Sequence, residues 1–248
     1  MGAAYVVSQD EALGVRESGD SAVVMETIGP LDGCELLTQR VIHFGAGRSH
    51  PRHDLEHDDL LFVVSGTGTV ELQTGTHPLE PGTALHLAAG ESAVVDNTGL
   101  DDLVIVSVLI PPAETDVIVP LNRQDVLRLE DRAEQRADEK RTYRVLFGAE
   151  TGCTQATQFV GFVEPFRAPD HSHPYDEVGY VLAGTGFAHM GGDPIPIGPG
   201  SCFHLPRDHV HCIENSGPDV MQILGVFHPA ESPAARSYDA AAAEAATT

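Results

Sequence analysis

The sequence predicts an all-β chain built from two similar barrel or sandwich halves, and three observations support this. Apolar, β-branched runs are broken by Gly turns, as in LLFVVSGTGTVEL and EVGYVLAGTGFAHM. Pro-Gly turns then feed further short strands, as in LEPGTALHLAAG and IGPGSCFHLPRD. The whole pattern occurs twice, with no alternating helices between the strands.

The duplication has a spacing of 118 residues. It relates Asp59 to Glu177, Gly66 and Gly68 to Gly184 and Gly186, Pro81-Gly82 to Pro199-Gly200, His86 to His204, Asn97 to Asn215, and Gly99 to Gly217, with no gap from first pair to last. A constant register across strands and turns points to a duplicated domain. The expected division is 1–115 and 116–248. Between the copies, residues 111–140 turn charged and rich in helix formers, which predicts a connector with one short helix. The tail from Ser232 is low in complexity and reads as a frayed helix or a disordered end.

The 248 residues include 37 acidic and 14 basic side chains, a formal charge of -23. Such a surface repels phosphate backbones and anionic lipid, so neither nucleic acid nor membrane is an expected partner, and a small-molecule substrate is. One local cationic cluster can still bind an anion. The opening MGAAYVVSQD has no cationic start and no long apolar run, and the four cysteines show no CxxC pairing; the expectation is a reduced, cytoplasmic protein. Cys202 and Cys212 read as small core residues rather than nucleophiles.

The chemistry concentrates in HSHPYDEVGYVLAG. His171 and His173 lie two apart, so on an extended segment they face one side, and Glu177 follows four residues on. In GPGSCFHLPRDHVHCIEN, His211 can add a fourth donor from a neighbouring strand. Three imidazoles and a carboxylate are the donors that Fe, Mn, Ni, Co or Zn sites use, with iron placed first.

These spacings resemble the two motifs of the cupin superfamily, HxHxxxExxxxxxG and GxxxxxPxGxxHxxxN. The second copy departs only at Pro165 and Asp208, where the motifs carry Gly. The resemblance implies two tandem jelly-roll barrels, with one divalent metal in the second held by His171, His173, Glu177 and His211. At the spacing of 118 the first copy offers His53, Leu55, Asp59 and Ala93 instead, an eroded site. A shifted set from His50, His53, Glu56 and His57 is the alternative there.

Strand alternation places His209 beside His211, which makes His209, with Glu177, the expected proton-moving group. Gln158 and Gln222 are lone amides in apolar runs and are expected to face the substrate. Arg167, Tyr175 and His189 are expected at the rim, Arg167 as the cation for a substrate carboxylate. Similar cupins include iron, nickel and manganese dioxygenases, so the resemblance implies a dioxygenase acting on a small oxygenated molecule. Isomerisation, decarboxylation or a ureidoglycine-type aminohydrolase reaction is the alternative, and a non-enzymatic binding module the third. A homodimer is expected.

Overall fold

The computed structural model describes residues 3–112, 123–235 and 237–238. Each repeat forms a large antiparallel sheet and a four-stranded sheet packed over it. In the first repeat the large sheet runs Gly14–Val15, Ala22–Ile28, Thr38–Phe44, Leu103–Ile110, Asp58–Ser65 and Thr83–Leu87. In the second it runs Gln135–Arg136, Arg141–Phe147, Thr157–Val163, Met221–His228, Asp176–Ala183 and Ser201–Leu205. The final edge strand of each is borrowed. Val126–Arg128 closes the first repeat's sheet and Tyr5–Ser8 closes the second's, so the halves exchange edges within one chain.

This exchange explains the connector. Its described part holds Val126–Arg128, a single 3-10 turn at Leu129–Asp131, and Gln135–Arg136. The expected helix is therefore one turn. An open sheet edge on either side offers backbone partners that outweigh a weak helical preference. Residues 113–122 and 239–248 lie outside the described residues. Within the tail, Ser237–Tyr238 pairs as a short strand with His171–Ser172.

The run LLFVV lacks polar alternation because Asp58–Ser65 is buried on both faces. Leu60 and Phe62 enter the layer between the two large sheets, while Leu61 and Val63 enter the first barrel. Val178 and Tyr180 repeat this in the second half, with Val181 turned inward. The shared layer also contains the Asp58–His86 pair at 3.0 Å and its counterpart Asp176–His204 at 3.4 Å.

Two repeated residue types have visible reasons. Asn97 donates to the Phe44 and Asp101 carbonyls and accepts from Gly99 N; Asn215 does the same with Val163, Asp219 and Gly217. Each buried amide thus ties the small sheet to the large one. Gly66 and Gly184 have φ of 83° and 86°, and a Cβ would stand 2.6 and 2.7 Å from the facing backbone. All four cysteines are free and buried, and burial pushes Cys202 up to about 12 and Cys212 to about 11, away from nucleophilic use. No helix among the described residues is long and apolar enough to cross a membrane.

Candidate metal centre

His171 and His211 are joined by a two-way backbone bridge, N to O at 3.0 and 2.9 Å, which sets their side chains beside one another. His173 follows two residues later, and Glu177 stands near the start of Asp176–Ala183. All four side chains are buried. The Nδ1 atoms lie 2.9, 2.9 and 2.8 Å from the carbonyls of Pro169, Tyr175 and His209 for His171, His173 and His211 respectively. A carbonyl only accepts, so each Nδ1 carries a proton, and in the neutral ring the lone pair is then on Nε2. The repeated use of one backbone partner type sets the same tautomer three times.

The donors fit a divalent ion. An imidazole bound through Nε2 at about 2.1 Å has its centroid about 3.3 Å from the ion, and two such rings at right angles stand about 4.6 Å apart. The centroids of His171 and His173 lie 4.7 and 4.8 Å from that of His211. His173 Nε2 is buried without a hydrogen-bond partner although Glu177 Oε2 lies 3.2 Å away; with the ring proton on Nδ1, nitrogen and carboxylate are both acceptors. Burial, then the neighbouring His173, lowers His211 to about 4, which keeps it a neutral ligand.

The donors open on a cavity of about 110 Å³ walled by Phe159, Val163, Phe203, Leu205 and Ile223. Phe159 lies over Gly225, where a Cβ would come within 2.4 Å of its ring and 3.1 Å of Glu177 Oε1; only glycine leaves that space. Tyr175 stacks between His173 and Phe227 at 4.1 and 4.0 Å. Pro233 and Ala235 complete the wall.

The other candidate residues are placed less uniformly. Tyr175 lines the cavity. His209 does not: Pro206–His211 leaves strand geometry at Asp208, with φ of 60°, so alternation fails there. His209 lends His211 its carbonyl, while its own ring meets Met190 O at 3.1 Å. Gln158 and Gln222 lie on the opposite strand face from the cavity-lining Phe159 and Ile223, toward the layer between the large sheets. Arg167 pairs with Asp170 at 3.4 Å and His189 with Glu214 at 2.8 Å, both away from the cavity. The cation that lines the cavity is Arg141, whose Nε donates to Asp138 Oδ2 at 2.7 Å. Its position at the end of the charged connector hid it, although it alternates with cavity-lining Tyr143.

The structure also corrects the correspondence between copies. The bridge Arg52–Ala93 matches His171–His211, and Gly90 N to Asp54 O matches Asp208 N to His173 O. The first-copy counterparts of the ligands are therefore Arg52, Asp54, Asp59 and Ala93, and not His53 or Leu55. The turn before Asp58 is one residue longer than the turn before Asp176, so the spacing of 118 holds only beyond it. The shifted set of His50, His53, Glu56 and His57 does not form a ligand cluster. Among the described residues, Glu17, Asp20 and His50 do bring ligand atoms within 4.8 Å of one another.

Residues 163–227, the strand and loop region that carries His171, His173, Glu177 and His211, match the cupin domain model. No curated protein sequence matches the chain. Among solved structures, a protein from Pseudomonas aeruginosa described as glyoxylate-induced is similar at 19% identity with a TM-score of 0.79, over 94% of this chain and 91% of that one. A mutant of Bacillus subtilis oxalate decarboxylase is similar at 12% identity with a TM-score of 0.75, over 96% and 80%. These structural likenesses are statements about fold. The domain match concerns the second barrel alone, and the structural likenesses extend the same fold over nearly the whole chain.

Proposed function

We propose that the chain is a metal-dependent enzyme whose second barrel holds one divalent ion through His171, His173, Glu177 and His211 and acts on a small oxygenated molecule. The observation that carries this is a shared arrangement: three buried imidazoles, each with Nδ1 at a backbone carbonyl, line one cavity together with the Glu177 carboxylate. An ion held by these four side chains would supply Lewis acidity for a substrate oxygen. The apolar walls exclude water, the Phe159–Gly225 contact sets the width, and Tyr175 holds His173 in plane.

The oxidative reading, a dioxygenase with iron, rests on the four-donor set and the apolar cavity. A non-redox reading, decarboxylation or a related reaction of a small acid, is favoured by Arg141 at the cavity wall. The names glyoxylate-induced protein and oxalate decarboxylase among its structural neighbours point the same way. Metal analysis followed by oxygen-electrode and carbon dioxide assays on the iron- and manganese-loaded protein, against enols, catechols, diketones and short carboxylic acids, separates the two. One metal per chain with oxygen uptake supports the dioxygenase. Carbon dioxide release without uptake supports the non-redox enzyme. Failure to retain any stoichiometric metal overturns both.

A further inference from the structure

The first barrel has its own cavity, of about 260 Å³, at the place corresponding to the metal cavity. Its chemistry is different. Arg40 replaces Phe159 on the matching strand, and Arg52 replaces His171 at the matching bridge. Both line the cavity with Asp59, the counterpart of Glu177. Asp59 accepts from Ser107 Oγ at 2.7 Å, and burial raises its carboxyl above the ordinary value.

The acids around this cavity are already engaged. Asp20 accepts from the backbone N–H of Ala22 and His50 and lies 3.5 Å from Arg52 Nη1. Asp54 accepts from Glu56 and His57 N–H, and Glu91 is held by Arg123 at 2.7 Å. Among the described residues no carboxylate lies within ion-pair distance of Arg40. Arg52 is fixed by Asp20 and by the Phe44 ring, 6.0 Å from its guanidinium carbon. Two guanidinium groups, one without an ion pair, therefore face a polar space in a protein that otherwise repels anions.

We propose that the first barrel is a metal-free binding site for a small organic carboxylate, gripped by Arg40 and Arg52. Planar guanidinium groups match carboxylate geometry in two-point contacts, and Arg52 is already oriented. The neighbouring Glu17, Asp20 and His50 cluster is a poor cation site, because Arg52 Nη1 stands 3.5 Å from Asp20 Oδ2 and its charge opposes a second cation there.

Isothermal titration with malonate tests this on the full chain, using wild type, R40Q, R52Q and H211A, with inorganic phosphate and Mn²⁺ as comparison titrants. The expected result is one saturable malonate site that survives in H211A and weakens at least about tenfold in R40Q and in R52Q. R40Q should keep its metal content in the second barrel, so this result is separable from the proposed enzymatic function. Arg40→Lys keeps the charge but not the fork, and should weaken binding severalfold if Arg40→Gln fails to fold. Loss of binding in H211A with none in R40Q, phosphate binding without malonate, a Mn²⁺ site that persists in H211A, or no saturation by about 10 mM would each overturn the proposal.

Discussion

In the second barrel Gly225 gives way to the Phe159 ring beside Glu177; at the same positions in the first, Ser107 reaches Asp59 and Arg40 stands where the ring would be. The strands, bridges and turns are shared, and the chemistry inside them is not. The skeleton is held by groups that never enter a cavity, such as Asn97 and Asn215, so the inward faces are free to diverge. One barrel presents imidazole and carboxylate donors, which suit a metal cation, and the other presents guanidinium, which suits an anion.

The largest test of this asymmetry is metal content. His171→Ala or His211→Ala should each abolish stoichiometric metal, whereas Arg52→Ala, at the place corresponding to His171, should leave it unchanged. Elemental analysis of the three purified variants reads the result directly. Metal loss in Arg52→Ala would mean that the barrels are not chemically independent.

The shared skeleton should behave oppositely. Asn97→Ala and Asn215→Ala each leave one buried carbonyl, one part-buried carbonyl and a backbone N–H short of a partner, and each should cost about 2 kcal/mol in chemical denaturation. Near-equal losses are expected. A difference above about 1 kcal/mol would show that one barrel depends on the other for its stability.

Gly225→Ala makes the second barrel resemble the first at one atom. The new methyl drives Phe159 toward the cavity and presses on Glu177, so metal affinity measured against a competing chelator should fall about tenfold, or about 1.4 kcal/mol. Ser107→Gly in the first barrel should leave that affinity unaltered.

The four candidate donors stand out in the sequence because a metal site would demand particular residue types at spacings that local strand geometry enforces, and the structure places them on the wall of one cavity. The same logic failed wherever the geometry was irregular. His209 left the strand pattern at Asp208, whose left-handed φ only the structure reveals. His53 was matched to His171 because one residue fewer in the turn before Asp176 shifts the correspondence without disturbing the motifs downstream. Gln158 and Gln222 are expected from the sequence to face the substrate and do not line the cavity, because sequence alone does not say which face of a doubly buried strand meets it. The exchanged edge strands were illegible for another reason: which repeat a short strand joins depends on the other half of the molecule.

Asp20 offers the smallest and most local test. Burial pushes its carboxyl upward, but the N–H groups of His50 and Ala22 and the charge of Arg52 pull harder, and the net position lies below the ordinary 3.8. A carboxyl depressed on folding stabilises the folded state above its unfolded pKa, and that contribution is lost as pH falls through its folded pKa. Asp20→Asn should therefore cost about 1 kcal/mol at neutral pH, with the gap from wild type narrowing below pH 3.8. Because Asp20 also orients Arg52, the variant should weaken malonate binding at neutral pH while leaving the metal in the second barrel in place. If the stability gap stayed constant down to low pH, the Asp20 charge would not be what matters, and Arg52 would have to be oriented by packing on Phe44 alone.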